Sequence, residues 1–454
     1  MGKSDSDPQS ITGGRVVRVY LTVAGLFTVS ASIIWGVNTL FLLDAGLNIF
    51  QVMVVNATFS VGQMIFEVPT GVIADTVGRR ASFLLGISTL VVSTLLYVAS
   101  AMFEWGLPGF MGASVLLGLG FTFQTGAVDA WLVDALDFSG YPKRKEEVFA
   151  RGGMVNGIAM LGGTVLGGFL GQLDLTTPYL VRSGLLVIAL VFVAVYMRDI
   201  GFEPRQLKLS TFGAETRKIF DAGVRYGWRN PVVRPLLFTS AVDGLLMWYL
   251  FYAAQPYALE ILGREDLIWV AAGITALFGL SGVVGNTLVG PLTRTRLGED
   301  LPRVLAVMAG GMSGAAVLIG VVGLLARSNG AGIGWFVALA VLFAVYGVMY
   351  GVLMPCRQSF INAHIPSAQR ATVLSVDSFF VDTGAALGQP GLGFVAQRSG
   401  KALAYVFGGF LYGAAAPLYL RARRASRAEA EGAEAVPCPV EPETSELTCV
   451  PGGP

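Results

Sequence analysis

Charged residues are scarce in this sequence. Asp, Glu, Lys and Arg together make up 13% of the 454 residues, against about 25% in an average soluble domain. Hydrophobic residues account for 54%, and the mean hydropathy is +0.65. A water-soluble fold of this length would lack the charged groups needed to cover its surface. The composition therefore indicates an integral membrane protein.

Cysteine and histidine are nearly absent as well. The three cysteines are too few and too scattered for a disulfide framework or a metal site, and a single histidine leaves no His-based catalytic group. The sequence also has no Walker loop, HExxH or Gly-x-Ser-x-Gly motif. We expect neither an enzyme nor a bound cofactor or metal. With 31 cations against 30 acids and no basic patch interleaved with aromatics, nucleic acid is not an expected partner.

Long apolar segments recur along the whole chain. A helix that crosses a bilayer needs about 20 mostly apolar residues, and twelve segments meet this requirement. They lie at about 16–43, 49–75, 80–103, 107–138, 145–172, 176–198, 231–262, 266–293, 302–327, 331–364, 368–398 and 400–422. The first run is too long for the core of a signal peptide. It is expected to remain as the first of twelve transmembrane helices.

The distribution of Lys and Arg predicts the orientation of these helices. If the N-terminus is inside, 26 of the 31 cations fall in inside segments, and five remain outside. These five are Arg182, Arg264, Arg327, Arg398 and Lys401. Cations are retained on the cytoplasmic side of membranes. Both termini are therefore predicted to be cytoplasmic, in a multi-pass protein of the plasma or inner cell membrane.

One long polar segment, residues 199–230, divides the chain. It separates a six-helix bundle at 16–198 from a second at 231–424, and short tails flank the two bundles. Within it Phe220, Val224 and Trp228 recur every four residues, which indicates an amphipathic helix on the inner membrane surface. Residues 1–15 are predicted to be a cytoplasmic tail, and residues 425–454, rich in Ala, Glu and Pro, a disordered cytoplasmic tail.

The two halves share an internal repeat. The polar loops that begin at Gly71 and Gly290 are 219 residues apart, and so are Arg151 and Arg370, which open the fifth and eleventh spans. Two landmarks with one offset indicate a duplicated six-helix unit. The predicted fold is thus an all-α integral membrane protein with two pseudo-symmetric six-helix bundles. In such parallel repeats the substrate site lies between the halves, near the middle of the membrane.

The loop after the second span carries a recognisable motif. Gly71, Asp75, Gly78, Arg79 and Arg80 stand at the spacing found between helices 2 and 3 of the major facilitator superfamily. The chain resembles that family over its whole length, and departs from the motif by a threonine at position 76, where a cation is usual.

Within the superfamily the chain is similar to the proton-coupled drug and metabolite antiporters. The sequence GGTVLGGFLG stands in the fifth span at the place of their glycine-rich motif, without its usual proline. The resemblance implies a cytoplasmic gate in which Asp75 stabilises the start of helix 11 and Arg79 pairs with Asp134. The alternative for these residues is a static clamp that only orients the helices.

Several acidic residues fall inside the predicted spans. Each costs about 2.5–3.5 kcal/mol at a helix centre by insertion scales, so each needs a reason to be there. Asp129 in the fourth span is the first candidate for proton coupling, because that helix lines the cavity in this fold. Glu67, Asp243 and Asp382 are further candidates. The alternative for Asp129 is a structural ion pair, with Arg151 or Arg357.

Other polar and aromatic residues are candidates for a substrate cavity. Trp248, Tyr252 and Gln255 lie on one face of the seventh span, and Gln124 precedes Asp129 in the fourth. Such a set suits a bulky hydrophobic or aromatic ligand. Tryptophan and tyrosine near the end of a span also form the interfacial belt, which is the competing interpretation.

These features together predict a secondary active transporter that acts as a monomer in the lipid bilayer. The preferred function is proton-coupled efflux of a hydrophobic or amphipathic small molecule, such as a drug, antibiotic or metabolite, by alternating access. The proton gradient would supply the energy, without a cofactor. The acids and the aromatic seventh span suit lipophilic cations better than sugars. A nutrient importer or facilitator of the same fold is the alternative, and a non-transporting sensor or scaffold would leave the buried carboxylates unexplained.

Overall fold

The computed structural model describes residues 13–124, 127–142, 144–202, 227–366 and 370–434. Its regular structure in these ranges is helical, without a β-strand. Twelve helices, α1 to α12, follow one another, and three of them consist of two segments. They are α1 (Gly13–Ser32 and Asn38–Asp44), α2 (Ile49–Thr76), α3 (Arg79–Met102), α4 (Gly106–Thr122 and Ala127–Phe138), α5 (Lys145–Leu173), α6 (Thr177–Tyr196), α7 (Val233–Leu262), α8 (Ile268–Thr293), α9 (Leu301–Asn329), α10 (Ile333–Ala363), α11 (Arg370–Ser399) and α12 (Lys401–Tyr412 and Ala415–Glu434).

Eleven of these spans are long and apolar enough to cross a membrane, as judged on the described residues. The remaining helix, α11, has 30 residues but contains Asp377 and Asp382, which lower its hydropathy. It nevertheless packs along α2 on one side and α7 on the other, within the bundle. The fold is therefore an all-α membrane protein with twelve transmembrane helices, as predicted.

The first six and the last six helices pack in the same pattern. In the first bundle α1 packs on α5, α2 on α4 and α3 on α6; in the second, α7 packs on α11, α8 on α10 and α9 on α12. Each pair of the second bundle is the counterpart of a pair in the first, six helices later. The two bundles are thus pseudo-symmetric, as the repeat in the sequence predicts.

Glycines allow the closest of these helix pairs to form. A Cβ atom at Gly167 of α5 would collide with the carbonyl of Ile33 in α1, and one at Gly384 of α11 would collide with the carbonyl of Ala241 in α7. In a membrane, where the lipid is as apolar as the side chains, small residues let helices gain packing contacts by approaching closely. The glycine-rich run of α5 therefore serves helix packing.

The contacts between the bundles extend from the end opposite the termini to the middle of α2 and α11, where Thr383 contacts Met64. Phe50 of α2 and Phe394 of α11 meet edge to face with ring centroids 6.2 Å apart, and Phe169 of α5 stacks on Trp269 of α8 at 6.4 Å. The second segment of α1 packs on α7 at the same end. The ion pairs described at the end that carries the termini each join helices of a single bundle. The bundles are joined at one end and diverge toward the other.

Parts of the predicted domain organisation fall outside the described residues. Residues 1–12, 203–226 and 435–454 are among these, so the amphipathic helix of the linker and most of both tails are not described. The predicted disorder from residue 425 is wrong for 425–434, because α12 continues to Glu434. Arg427 of this extension, and Arg423 just before it, bond to Asp300 at 3.2 and 2.6 Å, which anchors the helix to the start of α9.

A cavity between the bundles as candidate functional site

A cavity of about 360 Å³ lies between the two bundles, lined by residues of α1 to α8. The wall formed by α7 and α8 is mainly aromatic. Trp248 stacks on Tyr252 with ring centroids 6.0 Å apart, and Phe251 contacts Phe278 edge to face at 6.4 Å. These rings give the cavity a flat apolar surface, which suits an aromatic or hydrophobic ligand.

The opposite wall, formed by the first bundle, combines apolar side chains with the amide and charged side chains of the cavity. The Tyr179 hydroxyl donates to Oδ1 of Asn38 at 2.9 Å, and Nδ2 of Asn38 donates to Oδ1 of Asn56 at 3.0 Å. Nδ2 of Asn56 is buried and has no hydrogen-bond partner among the described residues. Both asparagines line the cavity. The chain of hydrogen bonds therefore ends in a free donor at the cavity wall.

Arg182 is the one charged side chain among the described residues that line this cavity. It is 1% exposed, and its Nε and Nη2 atoms have no hydrogen-bond partner in the described part of the chain. Arg182, counted from the sequence among the outside cations, lies on the second turn of α6, which begins at Thr177, and its side chain is buried within the bundle. An isolated arginine within a long apolar run is the signal that could have found it.

Two of the four predicted cavity residues line the cavity, Trp248 and Tyr252. The other two, Gln124 and Gln255, are not among its described lining residues. Gln255 instead joins the bundles: its Oε1 accepts from the backbone N–H of Thr39 at 3.0 Å, and its Nε2 donates to the carbonyl of Trp35 at 2.7 Å. Gln255 thus closes the cavity at the end opposite the termini.

Asp129 does not occupy the position that the sequence suggested. It is exposed, and its Oδ1 accepts a hydrogen bond from the Tyr20 hydroxyl at 3.2 Å. It is absent from the described lining of the cavity. The prediction of a buried acid is wrong because Asp129 lies in the second segment of α4, near the end where the bundles diverge.

Asp243 belongs to a charged cluster inside the second bundle. Arg357 of α10 binds both carboxylate oxygens of Asp377 in α11, at 2.6 and 2.9 Å, and also donates to the hydroxyl of Ser240. Asp243 is buried and accepts from the Tyr412 hydroxyl at 2.5 Å. The alternative pairing of Arg357 with Asp129 is wrong, since Arg357 is engaged in the other bundle.

Glu67 and Asp382 meet where the two bundles touch. Glu67 lies on α2 and Asp382 on α11, and their carboxyl groups are within electrostatic range of each other. Close by, the hydroxyl of Thr383, the residue after Asp382, contacts the sulfur of Met64, three residues before Glu67, at 3.9 Å. The structure therefore brings these two candidate acids together across the interface between the bundles. Neither is among the described residues that line the cavity.

The motif after α2 forms an ion-pair cluster at the end that carries the termini. Arg79 binds Asp75 with Nη1 to Oδ1 at 2.6 Å, and its Nε lies 3.9 Å from Oδ2 of Asp134 on α4. The structure thus brings together the three residues that the resemblance implied for a gate. Gly71, one turn before Asp75, has open space beside its Cα atom.

Gly78 and Arg80 complete this turn. Gly78 has φ +126°, a conformation that residues with a side chain rarely adopt. The N–H of Arg80 then donates to Oδ1 of Asp199 at 2.9 Å, and its guanidinium donates to the carbonyl of Ala194 at 2.6 Å. Asp199, from the start of the predicted linker, thereby fixes the end of the first bundle to the motif.

Two bundles of six membrane helices with a cavity between them are the arrangement found in transporters of small molecules. The comparisons with known proteins agree. The family model of the Major Facilitator Superfamily matches residues 20–333 and 296–451. The chain belongs to the major facilitator superfamily.

Among curated proteins, the chain is similar to the class E tetracycline resistance protein of Escherichia coli. The two are 27% identical over 269 residues, which are 56% of this chain and 59% of that protein. The match thus spans about three fifths of the length of the relative.

Among solved structures, the nucleoside transporter NupG superposes with a TM-score of 0.72 at 11% identity, over 91% of this chain and 99% of that one. An auto-inhibited peptide transporter of the POT family superposes with a TM-score of 0.70 at 15% identity, over 90% and 97% of the two chains. At these identities the superpositions show a shared fold.

Proposed function

We propose that this protein is a proton-coupled exporter of a hydrophobic or amphipathic small molecule, working by alternating access. The observation that carries the proposal is the cavity of about 360 Å³ between bundles that are joined at one end only. A site of this kind can be opened to either side of the membrane when the bundles rock about it. The stacked rings of α7 favour a ligand with a large apolar or aromatic surface.

Export is favoured over import by the likeness to a tetracycline resistance protein, since resistance to an antibiotic is commonly conferred by removing it. The distribution of cations favours cytoplasmic termini. With this orientation, the contacts made by Gln255 and by the aromatic pairs of α2–α11 and α5–α8 close the site from the outside. The structure then corresponds to a state that loads substrate from the cytoplasm.

A topology test is independent of transport. Single cysteines introduced into the 203–226 segment of a cysteine-free variant should be inaccessible to a membrane-impermeant maleimide in intact cells and should be labelled after permeabilisation. Labelling in intact cells would contradict the orientation, and with it the assignment of a cytoplasm-facing state.

The proposed cytoplasmic gate depends on the ion pairs that Arg79 forms. In the described state Arg79 holds Asp75 and Asp134 within the first bundle. When the bundles close at this end, α11 approaches α2, and the positive N-terminal end of α11 can attract Asp75. We propose that this exchange of partners stabilises the state that releases substrate outside.

We propose that Asp382 carries the coupled proton, with Glu67 as its neighbour. The two carboxyl groups come from different bundles and lie near each other at their interface. Two negative charges close together repel strongly at low dielectric, and binding of one proton removes this repulsion. The occupancy of the proton site is thereby linked to the distance between the bundles. Asp243 and Asp377 are bound inside the second bundle. Asp129 belongs to the first bundle and lies near the end where the bundles diverge, so these three acids are less well placed.

Proteoliposomes containing the purified protein would test coupling. The fluorescent substrate is first chosen by accumulation in cells with and without a protonophore. In the vesicles, Asp382→Asn should abolish uphill transport driven by a pH gradient, while exchange of substrate down its own gradient survives. Asp137→Asn, which removes an exposed acid paired with Lys145, is the matched control.

Unchanged uphill transport in Asp382→Asn would exclude this residue as the essential carrier and direct attention to Asp129 and Asp243. Loss of uphill transport and exchange together, with a lower melting temperature, would instead indicate a structural role. Substrate uptake into everted vesicles, and not into right-side-out vesicles, would establish export.

A further inference from the structure

We propose that the substrate of this cavity carries an anionic group that binds Arg182, so that the transported class is an amphipathic organic acid. This inference rests on the proposed transport function and makes its substrate class more specific. It departs from the expectation of a lipophilic cation, because the acids behind that expectation lie outside the cavity.

The first argument is the state of Arg182. The side chain is 1% exposed, yet two of its three guanidinium nitrogens have no hydrogen-bond partner among the described residues. No carboxylate of the described part of the chain forms an ion pair with it. Buried arginines are normally paired, because an uncompensated charge in the membrane interior is costly. A ligand that brings a negative charge would remove this cost.

The second argument is the kind of hydrogen-bonding group that is left free. Besides the guanidinium, Nδ2 of Asn56 is buried without a partner, and both residues line the cavity. Each of these groups is a donor. The Oδ1 atom of Asn56 already accepts a hydrogen bond from Asn38, and the Oδ1 atom of Asn38 accepts one from the Tyr179 hydroxyl. A ligand group that satisfies this wall must therefore be an acceptor, as a carboxylate, sulfonate or enolate is.

The third argument is the arrangement of the two walls. Arg182 and Asn56 belong to the first bundle, whereas the stacked rings of Trp248 and Tyr252 belong to the second. A molecule with an apolar ring at one end and an acid group at the other can contact both bundles at once. A ligand that touches both bundles is the kind that can change the equilibrium between their arrangements.

Matched probes of opposite charge provide the test. Isothermal titration calorimetry with the full-length protein in detergent would compare 2-naphthoate with 2-naphthylmethylammonium, which share a ring and differ in charge. Naphthoate should bind at least tenfold more tightly than the amine. Arg182→Gln should weaken naphthoate about ten- to a hundredfold, the range for hydrogen bonds to a charged group, and leave the amine unaffected or improved. Arg182→Lys should recover part of the affinity.

The matched control is Arg398→Gln, which removes an exposed arginine at the same end of the molecule, where it stacks on Phe394. It should bind naphthoate as the unmodified protein does. Thermal unfolding separates binding from structure: loss of an uncompensated buried charge should leave the melting temperature of Arg182→Gln unchanged or raised without ligand, and should remove the shift caused by naphthoate. A paired, structural arginine would give a lower melting temperature.

Asn56→Asp is a second variant in case Arg182→Gln does not fold. It places a carboxylate on the cavity wall with almost no change in shape, and should weaken naphthoate binding, because it removes the free donor of Asn56 and adds a negative charge that repels the anion. Preference for the amine, equal naphthoate affinity in folded Arg182→Gln or Asn56→Asp, or binding of neither probe would overturn the inference. Cation-selective binding together with proton-driven export would overturn the inference about the anionic substrate and leave the proposed transport function intact. Anion-selective binding without proton-driven accumulation would instead overturn the proposed coupling.

Discussion

The buried pair of Arg357 and Asp377 offers a sharp test of the second bundle. Both side chains are buried, and the guanidinium binds both carboxylate oxygens at 2.6 and 2.9 Å. Asp377→Asn keeps the shape and removes the negative charge. Removing one partner of a buried ion pair typically costs about 3–5 kcal/mol, since the other charge stays behind. We expect a loss near the lower limit, because Arg357 keeps its bonds to the Leu236 carbonyl and the Ser240 hydroxyl.

The chain provides its own reporter for this measurement. Cys356, next to Arg357, is buried and free, so a thiol-reactive coumarin dye reports its exposure during heating. The other two cysteines, Cys438 and Cys449, are replaced by serine in all samples. The melting temperature of Asp377→Asn should then fall by several degrees.

The matched control is Asp266→Asn. It disrupts the exposed pair of Arg264 and Asp266, whose atoms are 2.8 Å apart, and surface pairs contribute little to stability. It should give no resolved change. The double variant Arg357→Met with Asp377→Leu should melt closer to the unmodified protein than Asp377→Asn does, because an apolar pair replaces the ion pair, and Asp243 keeps its hydrogen bond from Tyr412. Equal melting temperatures for Asp377→Asn and Asp266→Asn would refute the reasoning.

Three further predictions concern the end that carries the termini. Asp75→Asn should lower the rate of transport at matched expression, because Arg79 loses its nearer ion-pair partner and the proposed gate loses its negative charge. A normal transport rate would show that Asp75 is not needed for the gate. Gly78→Ala should lower both transport and melting temperature, since φ +126° is unfavourable with a side chain; an unchanged variant would show that the turn can relax. Arg423 holds the pKa of Asp300 below its ordinary value. A carboxyl group whose pKa is depressed by folding stabilises the folded state at pH values above its pKa in the unfolded chain, about 3.9. This stabilisation is lost as the pH falls through the pKa of the group in the folded state. Asp300→Asn should therefore lower the melting temperature at pH 7, with a difference that shrinks toward pH 3; a constant difference would exclude this linkage.

Much of the fold could be predicted from local properties of the sequence. Span length, cation distribution and the 219-residue repeat are all consequences of the membrane environment and of duplication, and they are visible one segment at a time. The motif around Asp75 and Arg79 is likewise local. Asp75 lies at the end of α2 and Arg79 at the start of α3, so the short turn between the two helices holds the pair together.

The candidate site could not be predicted in the same way, because its polar contacts join distant parts of the chain. Arg357 pairs with Asp377 and not with Asp129 because α10 and α11 belong to the same bundle, whereas Asp129 belongs to the other. Arg182 is isolated only because no acid of the described neighbouring helices reaches it. Gln255 was expected to contact substrate, and instead bonds to the backbone of α1, since the second segment of α1 ends the cavity there. Which partner a buried polar group finds depends on the helix pairs, and one sequence does not display them.

The charged groups fall into two sets: those bound within one bundle and those at the cavity or at the interface between the bundles. In the second bundle the guanidinium of Arg357 is bound by Asp377, and Asp243 is bound by Tyr412, so these charges stabilise the bundle itself. In the first bundle Arg182 faces the cavity with donors unused. The acids that meet at the interface, Glu67 and Asp382, belong one to each bundle. A charge that is bound within one bundle keeps the same partners when the bundles move relative to each other. The environment of a charge at the cavity or at the interface changes with such a movement. We propose that Arg182 meets this requirement for the substrate and that the Glu67–Asp382 pair meets it for the proton.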